Sequence, residues 1–425
     1  MLPCGRACAP GRAHPAPGGA PGGNVTGRVG SGQAERRDHV VSCSAARPRP
    51  FGENGPVPPR PLSAIVLAAG EGTRMRSAIP KPLHRLCGRP MVLHVLDALA
   101  ELPIERVVVV VGYRSVDVVK AVQAEAPPEL RVEFVEQSQP LGTGDAAAVA
   151  LTGFDEGADL KDGDLVILPG DTPLLRPATL AELVRAHRRS DAAATLLTAR
   201  IADATGYGRV VRSKSGNVAR IVEHVDASAG ELAIEEVATS IYCFRHGVLA
   251  PTLRRLSPAN AQGEYYLTDT IAVLDAAGYR VVTVVAPDPD ETAGVNDRAQ
   301  LAAAEAVLRG RLNERWMRRG VTMIDPAHTY VDAGVELAEE VVLEPGVRLE
   351  GTTSVGRGAV VGPHCHLVDC TVGPGARVAQ TVARNASVGE GAVVGPFAFL
   401  ERGSRVEAHA VTGAFAMIGF DDEHG

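Results

Sequence analysis

The chain has 425 residues, enough for two or three domains, and its hydrophobic (45%) and charged (22%) fractions are typical of a globular protein. A formal net charge of −7 and a pI near 6.0 argue against a dedicated nucleic-acid-binding protein, so we expect no nucleic-acid partner. No apolar run approaches the length of a membrane span, so we expect no membrane partner. The 7 cysteines are scattered, which indicates reduced cytoplasmic thiols and not a disulfide framework.

Residues 1–60 are dominated by Gly, Pro, Ala and Arg, and they predict a disordered N-terminal extension. The segment lacks the apolar core of a secretory signal. Its Arg-rich, acid-poor start is typical of a transit peptide, and an incorrectly assigned start codon explains it equally well.

Residues 61–289 alternate apolar runs with helical patterns, which predicts a doubly wound, Rossmann-like α/β domain. The predicted strands are apolar and rich in β-branched residues: 64–67, 106–112, 165–168, 192–199 and 280–285. The predicted helices have amphipathic spacing: 91–102, 177–189 and 268–277. Ligands of such domains bind at the carboxyl ends of the strands, so the candidate residues are those that follow strands.

The first candidate segment, LAAGEGTRM, runs from Leu67 to Met75 directly after a predicted strand. Small residues let a phosphate approach the backbone, and the helical pattern that follows predicts a helix N-terminus with partial positive charge. Arg74 and Lys81 add two full charges. These features predict a polyphosphate site, and the alternative is a Rossmann-like turn with two surface cations.

Two further candidates also follow strands. Asp171 offers a hard carboxylate oxygen suited to Mg²⁺ and substrate phosphates, or it is a turn residue that caps the next helix. Gln137 precedes a loop that contains Gly142 and Thr143, and its amide can donate to and accept from a pyrimidine edge. The alternative for this second loop is an ordinary turn.

The later part of the domain carries a third group of candidates. Gly208 permits close backbone approach to a ligand, and Glu223 can accept hydrogen bonds from sugar hydroxyls. The alternative is a hairpin with a solvated glutamate. Residues 260–269 predict a shaped loop that opens a helix. Asn296 offers an amide oxygen to a hard cation, and Asp297 is positioned to cap the next helix.

Residues 290–319 predict a linker arm with a helix from Asp297 through Arg319. Residues 320–411 then carry a six-residue apolar repeat with two slips, which predicts about four coils of a short, left-handed, triangular parallel β-helix. Residues 412–425 lack the repeat and predict an irregular tail. The repeat positions are Leu337, Leu343, Leu349, Val355, Val361, Leu367, Val372, Val378, Val382, Val388, Val394, Leu400 and Val406.

Within the repeat, His364, Cys365, His366 and Cys370 offer metal-ligating atoms. Their spacing fits no common zinc pattern, so we expect structural side chains here and no metal.

The first segment, followed by a lysine, resembles the signature of sugar nucleotidyltransferases. Together with the later motifs and the hexads, it resembles the bacterial bifunctional UDP-N-acetylglucosamine pyrophosphorylase / glucosamine-1-phosphate N-acetyltransferase, from about Ser63 to about Leu400. The resemblance implies transfer of UMP from UTP to N-acetylglucosamine 1-phosphate for cell-wall precursor synthesis. It also implies a Mg²⁺ cofactor, a cytoplasmic location and a homotrimer assembled through the β-helix.

The resemblance further implies roles for individual residues. Arg74 and Lys81 carry the catalytic positive charge, while Asp171 and Asn296 form the magnesium pair. Gly208 and Glu223 contact the sugar. The implied nucleotide contacts are Leu67, Ala68, Ala69, Gly70, Lys81, Gln137, Gly142 and Thr143.

The chain departs from the family pattern in two places. Ala238 stands where the family has a sugar-contacting asparagine, and Ser240 replaces a loop glycine. Loss of one such hydrogen bond lowers affinity by about tenfold or changes sugar preference. The family's leading acetyltransferase motif, LRPG, appears as LERG at residues 400–403, and the segment with its catalytic histidine has no counterpart. We therefore expect a truncated acetyltransferase domain without acetyltransferase activity.

Two alternative functions stay open. The enzyme could use another sugar 1-phosphate, such as glucose 1-phosphate, because Ala238 removes one contact. The chain could also be a non-catalytic regulatory or scaffold homologue. Arg74, Lys81, Asp171 and Asn296 argue against the scaffold, since it has no physical need for a cluster that clamps phosphates and a cation.

Overall fold

A computed structural model describes residues 60–154 and 163–419 of the chain. The predicted disordered extension lies outside the described residues except for Arg60, and residues 420–425 of the predicted tail lie outside them too.

The N-terminal α/β region contains a sheet and its covering helices. Its strands are β1 (Leu62–Leu67), β2 (Arg85–Leu86), β3 (Arg89–Pro90), β4 (Arg106–Val111), β5 (Val132–Glu136), β6 (Asp164–Pro169), β7 (Ala194–Arg200), β8 (Arg209–Arg212), β9 (Val218–Val222), β10 (Glu236–Arg245) and β11 (Val281–Val285). Its helices are α1 (Met91–Ala100), α2 (Ser115–Glu125), α3 (Thr143–Leu151), α4 (Pro177–Ser190), α5 (Ala229–Leu232), α6 (His246–Leu253) and α7 (Asp269–Ala276). The predicted strands and helices are confirmed to within two residues at most ends.

The main sheet has the order β11-β7-β10-β6-β1-β4-β5, and a hairpin of β8 and β9 joins it at β10. The strands β6, β1, β4 and β5 are mutually parallel, and β11 is parallel to β7. Only β10 separates these two parallel groups, and it runs antiparallel to both of its neighbours. The sheet is therefore mixed, a point that the sequence did not reveal.

The sheet is buried on both faces, which explains its continuous apolar strands. Along β1, Ala64 and Val66 face a core formed with α1, α2 and α4, while Ile65 faces the core formed with α3, α6 and α7. The strand ends between these two layers of helices hold the candidate residues.

The helix predicted directly after the first glycines does not form. Residues Thr73–Met75 and Lys81–Leu83 make single 3₁₀ turns, and the first α-helix begins only at Met91. The predicted contribution of a helix N-terminus to phosphate binding is therefore wrong, because three residues align too few peptide dipoles.

The arm is one long helix, α8 (Arg298–Arg318), and the Asp297 side chain caps it by accepting from Gln300 N–H at 2.8 Å. Two further 3₁₀ turns flank it, at Pro289–Thr292 and Pro326–His328. The arm helix packs Trp316 into the core of the C-terminal region. Both the predicted helix and its cap are confirmed.

The C-terminal region consists of very short parallel strands stacked into three sheets, consistent with the predicted β-helix. The strands are β12 (Thr322–Met323), β13 (Tyr330–Val331), β14 (Glu336–Leu337), β15 (Val342–Leu343), β16 (Arg348–Glu350), β17 (Ser354–Val355), β18 (Val360–Val361), β19 (His366–Val368), β20 (Thr371–Val372), β21 (Arg377–Val378), β22 (Val382–Arg384), β23 (Ser387–Val388), β24 (Val393–Val394), β25 (Phe399–Leu400), β26 (Arg405–Val406) and β27 (Met417–Ile418). The stacks are β12-β15-β18-β21-β24, β13-β16-β19-β22-β25-β27 and β14-β17-β20-β23-β26.

The stacks correct two predictions. They contain 5, 6 and 5 strands, which makes five full coils where about four were expected. The segment predicted as an irregular tail continues the second stack, because Met417 and Ile418 pair in parallel with Phe399 and Leu400.

One predicted interior position is also wrong. Val382 is 36% exposed, whereas Ala383 is 2% exposed and pairs with the interior residue Leu367. The register shifts by one residue on each side of Ala383, where the apolar spacing indicated a single shift before Val382, and an alanine fills the interior where a valine was expected. The other predicted repeat positions are buried.

The cysteines and histidines of the repeat do not converge. Cys365 and Cys370 are buried inside the coils, whereas His364 is exposed. Over the described ranges, no group of three or more His, Cys, Asp or Glu side chains is placed to hold a metal. In the same ranges, no helix is both long and apolar enough to cross a membrane.

Candidate active site

The loop after β1 lies at the carboxyl end of the sheet. Ala68 N–H donates to Val110 O at 2.9 Å, and Leu67 O accepts from Gly170 N–H at 2.8 Å, so neighbouring strands hold the start of the loop. The amides of Ala69 and Gly70 donate to no other described residue. A Cβ at Gly70 would have no atom within 4 Å. The predicted loop thus presents two unpaired amides beside open space, as an anion site requires.

Gly72 brings the loop against the predicted lysine. Its φ is +65°, and a Cβ there would lie 2.5 Å from the Cβ of Lys81. Only glycine permits both the left-handed backbone and this close approach. Gly72 therefore has a structural role: it lets the loop pack directly against Lys81.

Four predicted residues converge next to this loop. Lys81 Nζ contacts the carboxylate of Asp171 and donates to Asn296 Oδ1 at 2.8 Å. Arg74 donates to the same Asn296 oxygen at 3.0 Å. The side chains of Lys81 and Asp171 are 13% and 20% exposed, so their charges lie at a half-buried edge of the sheet. We call these four residues the charge cluster.

The sequence separates the members of the charge cluster by up to 222 positions. Asp171 follows β6, and Asn296 follows β11 through the 3₁₀ turn Pro289–Thr292. Val295 N–H donates to Asp171 O at 2.9 Å and fixes the two segments to each other. Asp171 does not cap α4, because that helix begins at Pro177 after Arg176.

The oxygens of Asp171 and Asn296 suit a magnesium ion. Both are hard oxygen ligands, and both face the same ammonium group of Lys81. A position that already holds a cationic group between two oxygens is electrostatically suited to a cation. The residues present therefore fit the expected metal.

The second candidate loop lies two strands away. Gln137 N–H donates to Val111 O at 2.8 Å and so extends β5 against β4. Its side-chain amide donates to Gly142 O at 3.1 Å and to Asp145 Oδ2 at 2.7 Å. The predicted trio of Gln137, Gly142 and Thr143 is thus one connected loop at the start of α3.

The loop of residues 260–269 holds this start of α3 in place. Gly144 N–H donates to Tyr265 O at 2.7 Å, and Leu267 N–H donates to the Thr143 hydroxyl at 3.0 Å. Gly142 has φ +108°, and a Cβ there would lie 2.6 Å from Tyr265 O. The Thr143 oxygen is therefore already engaged by the protein, which the sequence did not reveal.

The predicted sugar residues adjoin each other beside the β8–β9 hairpin. A Cβ at Gly208 would lie 3.3 Å from a carboxylate oxygen of Glu223, and Gly208 O accepts from Ala238 N–H at 2.9 Å. The Thr268 hydroxyl donates to Glu223 Oε1 at 2.9 Å. Glu223 is therefore not the solvated hairpin residue of the alternative interpretation.

The electrostatic environment of Glu223 is unusual. Burial raises the pKa of this carboxyl above its ordinary value, and the negative charges of Asp269 and Asp226 act in the same direction. The hydrogen bond from Thr268 acts in the opposite direction and is weaker than the burial effect.

The two substituted residues Ala238 and Ser240 both lie at one irregularity of β10. The pairing of β10 with β7 shifts register between Ala238 and Ile241. Ser240 lies within this bulge with φ +60°, a conformation that favours glycine. Ala238 is 5% exposed, and its neighbour Thr239 donates to Leu197 O at 2.7 Å. Position 238 lies next to Gly208, because β10 pairs with β8 there and Ala238 N–H donates to Gly208 O.

Three side chains at the site were missed by the sequence analysis. Asp145 holds Gln137, Thr268 holds Glu223, and Tyr207 lies close to Gly294 and Asp171, where burial raises its pKa. Their partners are distant in the sequence or on another element, so no spacing indicates them.

Comparisons with known proteins identify relatives of this chain. Residues 64–208 match the MobA-like NTP transferase domain family. The chain is 46% identical to the bifunctional protein GlmU of Streptomyces avermitilis over 357 residues, which cover 84% of this chain and 73% of that protein. It is 47% identical to the GlmU of Thermobifida fusca (77% and 67% covered) and 44% identical to that of Brevibacillus brevis (84% and 75% covered).

The three alignments cover between 77% and 84% of this chain. The relatives differ from one another in organism, yet each aligns over at least two thirds of its own length. The chain therefore belongs to the GlmU family and carries a nucleotidyltransferase domain.

Proposed function

We propose that the protein transfers UMP from UTP to N-acetylglucosamine 1-phosphate and releases pyrophosphate. The observation that carries the proposal is the charge cluster, in which Arg74, Lys81, Asp171 and Asn296 converge from four segments beside the unpaired amides of Ala69 and Gly70. A polyphosphate at that position would meet two positive side chains, two backbone donors and two oxygens for a cation.

The proposed reaction is an in-line displacement at phosphorus. A phosphate oxygen of the sugar 1-phosphate forms a bond to the α-phosphorus of UTP, and the bond to the bridging oxygen of pyrophosphate breaks. The nucleophile is already anionic, so no side chain has to remove a proton. Lys81 and Arg74 neutralise the charge of the phosphates and orient them.

We assign magnesium binding to Asp171 and Asn296. The ion, when bound with UTP, supplies further charge neutralisation on the phosphates. For Asp171 and Asn296 to bind the ion, the Lys81 ammonium group would have to leave their oxygens. It would move to the phosphate oxygens of UTP, which is a short displacement for a flexible side chain.

We assign nucleotide contacts to Leu67, Ala68, Ala69, Gly70, Gln137, Gly142 and Thr143, and sugar contacts to Gly208 and Glu223. In Glu223, the raised pKa reflects a carboxylate kept partly out of water, where hydrogen bonds to sugar hydroxyls are strong.

Glucose 1-phosphate is the second candidate substrate. It is favoured by Ala238, whose methyl group lies at the bulge beside Gly208 and offers no hydrogen bond to an acetamido group. The scaffold alternative gains no such support. We assign no acetyltransfer residues to this chain, and the word bifunctional describes the relatives.

We further propose that the β-helix is left-handed, as the hexads favour, and that it mediates a homotrimer in the cytoplasm. Self-association is supported by apolar side chains on the outer surface of the last coils. Phe397 and Phe415 stack at 5.2 Å while remaining 52% and 73% exposed, and Met417 is 66% exposed.

The test is pyrophosphate release by the full chain, with UTP and Mg²⁺ and either N-acetylglucosamine 1-phosphate or glucose 1-phosphate. We expect faster release with the N-acetyl sugar and loss of at least about a hundredfold in Asp171→Ala, since one charged ligand is removed. Faster release with glucose 1-phosphate would select the second candidate. A folded protein that releases no pyrophosphate with either sugar would contradict both.

A further inference from the structure

The side-chain amide of Gln137 is held in one orientation by two groups. Its nitrogen lies 3.1 Å from Gly142 O and 2.7 Å from Asp145 Oδ2. A backbone carbonyl can only accept a hydrogen bond, and so can an ionised carboxylate. The amide nitrogen must therefore face both groups, and chemistry alone fixes which end of the amide is which.

This orientation leaves Gln137 one group for a ligand. Both N–H bonds are used within the loop, and no described residue donates to Oε1. The residue as a whole is 9% exposed, so most of Gln137 is covered by protein. Toward a base, Gln137 is thus an acceptor and not a donor.

The location suits a nucleobase whose phosphates lie on the loop after β1. Gln137 directly follows β5, and β4 alone separates β5 from β1. Two strand spacings amount to about 10 Å, within the reach of a nucleoside triphosphate. Gly112, which follows β4, packs against Ala69 and makes the surface between the two loops continuous.

We propose that Asp145 is a specificity-determining positioning residue, which fixes Gln137 as an acceptor and thereby selects uracil over cytosine. Uracil carries a donor, N3–H, between two carbonyl acceptors, whereas cytosine carries an acceptor at N3. An acceptor on Gln137 binds the uracil donor and repels the cytosine nitrogen. The inference rests on the proposed function, because it assumes that a nucleotide binds at this edge.

The discriminating variant is Asp145→Asn. An asparagine of the same size can donate to Gln137 Oε1 as well as accept from its nitrogen, so only the longer hydrogen bond to Gly142 O, at 3.1 Å, still opposes the turned amide that presents N–H to a base. We expect the preference for UTP over CTP to fall by about tenfold, mostly through tighter binding of CTP, which is the scale of one hydrogen bond.

Asp117→Asn is the matched control. Asp117 occupies the first turn of α2 as Asp145 occupies the first turn of α3, so both variants remove a carboxylate that stabilises a helix N-terminus. Asp117 pairs with Arg114 and contacts no candidate site residue. This control should leave the preference unchanged.

The experiment is calorimetric titration of the full chain with UTP and with CTP, each with Mg²⁺, for the natural chain and both variants. A preference for UTP that falls only in Asp145→Asn supports the proposal. A preference that persists in Asp145→Asn, or equal weakening of both nucleotides, overturns the role of Asp145 and leaves the proposed function standing. A natural chain without a preference for UTP overturns the proposed function itself.

Discussion

Glu223 shows how one side chain can serve binding at a cost in stability. Its carboxyl is shielded from water and adjoins the carboxylates of Asp226 and Asp269, which disfavour its charged form. A raised pKa means that the folded state prefers the protonated form. Stability from this group is present at low pH and is lost as pH rises through the folded pKa.

Replacing Glu223 with Gln should therefore separate stability from sugar binding. At neutral pH the variant should unfold at a higher temperature than the natural chain, since the buried charge is gone. It should also bind the sugar 1-phosphate more weakly, with KM raised by about tenfold, because a neutral acceptor is weaker. Thermal unfolding and initial rates at varied sugar concentration measure the two effects.

The pH dependence of KM in the natural chain and in Glu223→Gln provides a second prediction. In the natural chain, KM for the sugar 1-phosphate should rise on acidification, starting above the ordinary glutamate pKa of 4.5, as Glu223 takes up a proton. Glu223→Gln retains the titration of the substrate phosphate and lacks that of the carboxyl, so its KM should depend less on pH. Parallel pH profiles for both proteins would contradict the assigned role.

At the scale of elements, the interior of the stacked coils depends on register more than on composition. Val378 and Val382 lie on consecutive strands of the repeat, β21 and β22. Val378 is 1% exposed, whereas Val382 is 36% exposed. The pairing of Leu367 with Ala383 places the alanine inside and turns the valine outward.

The two valines permit a matched pair of substitutions. Val378→Ala removes buried methyl groups and leaves a cavity, so it should cost about 2 kcal/mol of unfolding free energy. Val382→Ala is the same chemical change at the surface and should cost less than about 0.5 kcal/mol. Denaturant unfolding of both variants measures the difference, and equal costs would mean that Val382 points inward.

The individual elements were predictable from sequence, but the order of the strands in the sheet was not. Period and β-branched content locate β1, β4 and β6, because both faces of these strands are covered. The antiparallel β10 reads as one more apolar run, and its place between β6 and β7 depends on contacts between distant segments. A one-residue slip such as that at Ala383 is invisible when a larger apolar residue adjoins the true interior position.

The candidate site was predictable to the extent that its residues follow strands. Lys81, Asp171 and Asn296 were predicted, and they lie together because the carboxyl ends of the strands face one edge. Asp145 and Thr268 were not, since each acts by holding another side chain and carries no motif of its own. The acceptor-only state of Gln137 likewise depends on a hydrogen-bond network and not on residue type.

At the scale of the whole molecule, a small hairpin joins the α/β region to the arm and the first coil. Between β2 and β3, Cys87 N–H donates to Glu305 Oε2 of the arm helix at 2.7 Å, and Cys87 O accepts from Ala333 N–H at 2.9 Å. Cys87 is 5% exposed, so both bonds are shielded from water. The hairpin follows Lys81 closely in the chain.

Removing the carboxylate of Glu305 should weaken this junction. Glu305→Ala leaves the buried Cys87 N–H without a partner, which costs about 1–3 kcal/mol and should lower the unfolding temperature by several degrees. Glu305→Gln retains an acceptor oxygen and should lose less than half of that amount. If the two variants unfold at the same temperature, the hydrogen bond does not hold the junction.

The junction also constrains how such a protein could be assembled from parts over evolution. The sequence pattern changes between the α/β region and the coils, as it does between domains that recombine independently. Yet Cys87 in one part is matched to Glu305 and Ala333 in the others. A recombinant protein that acquired a new arm and new coils without equivalents of Glu305 and Ala333 would leave the buried backbone groups of Cys87 without partners, six residues after Lys81.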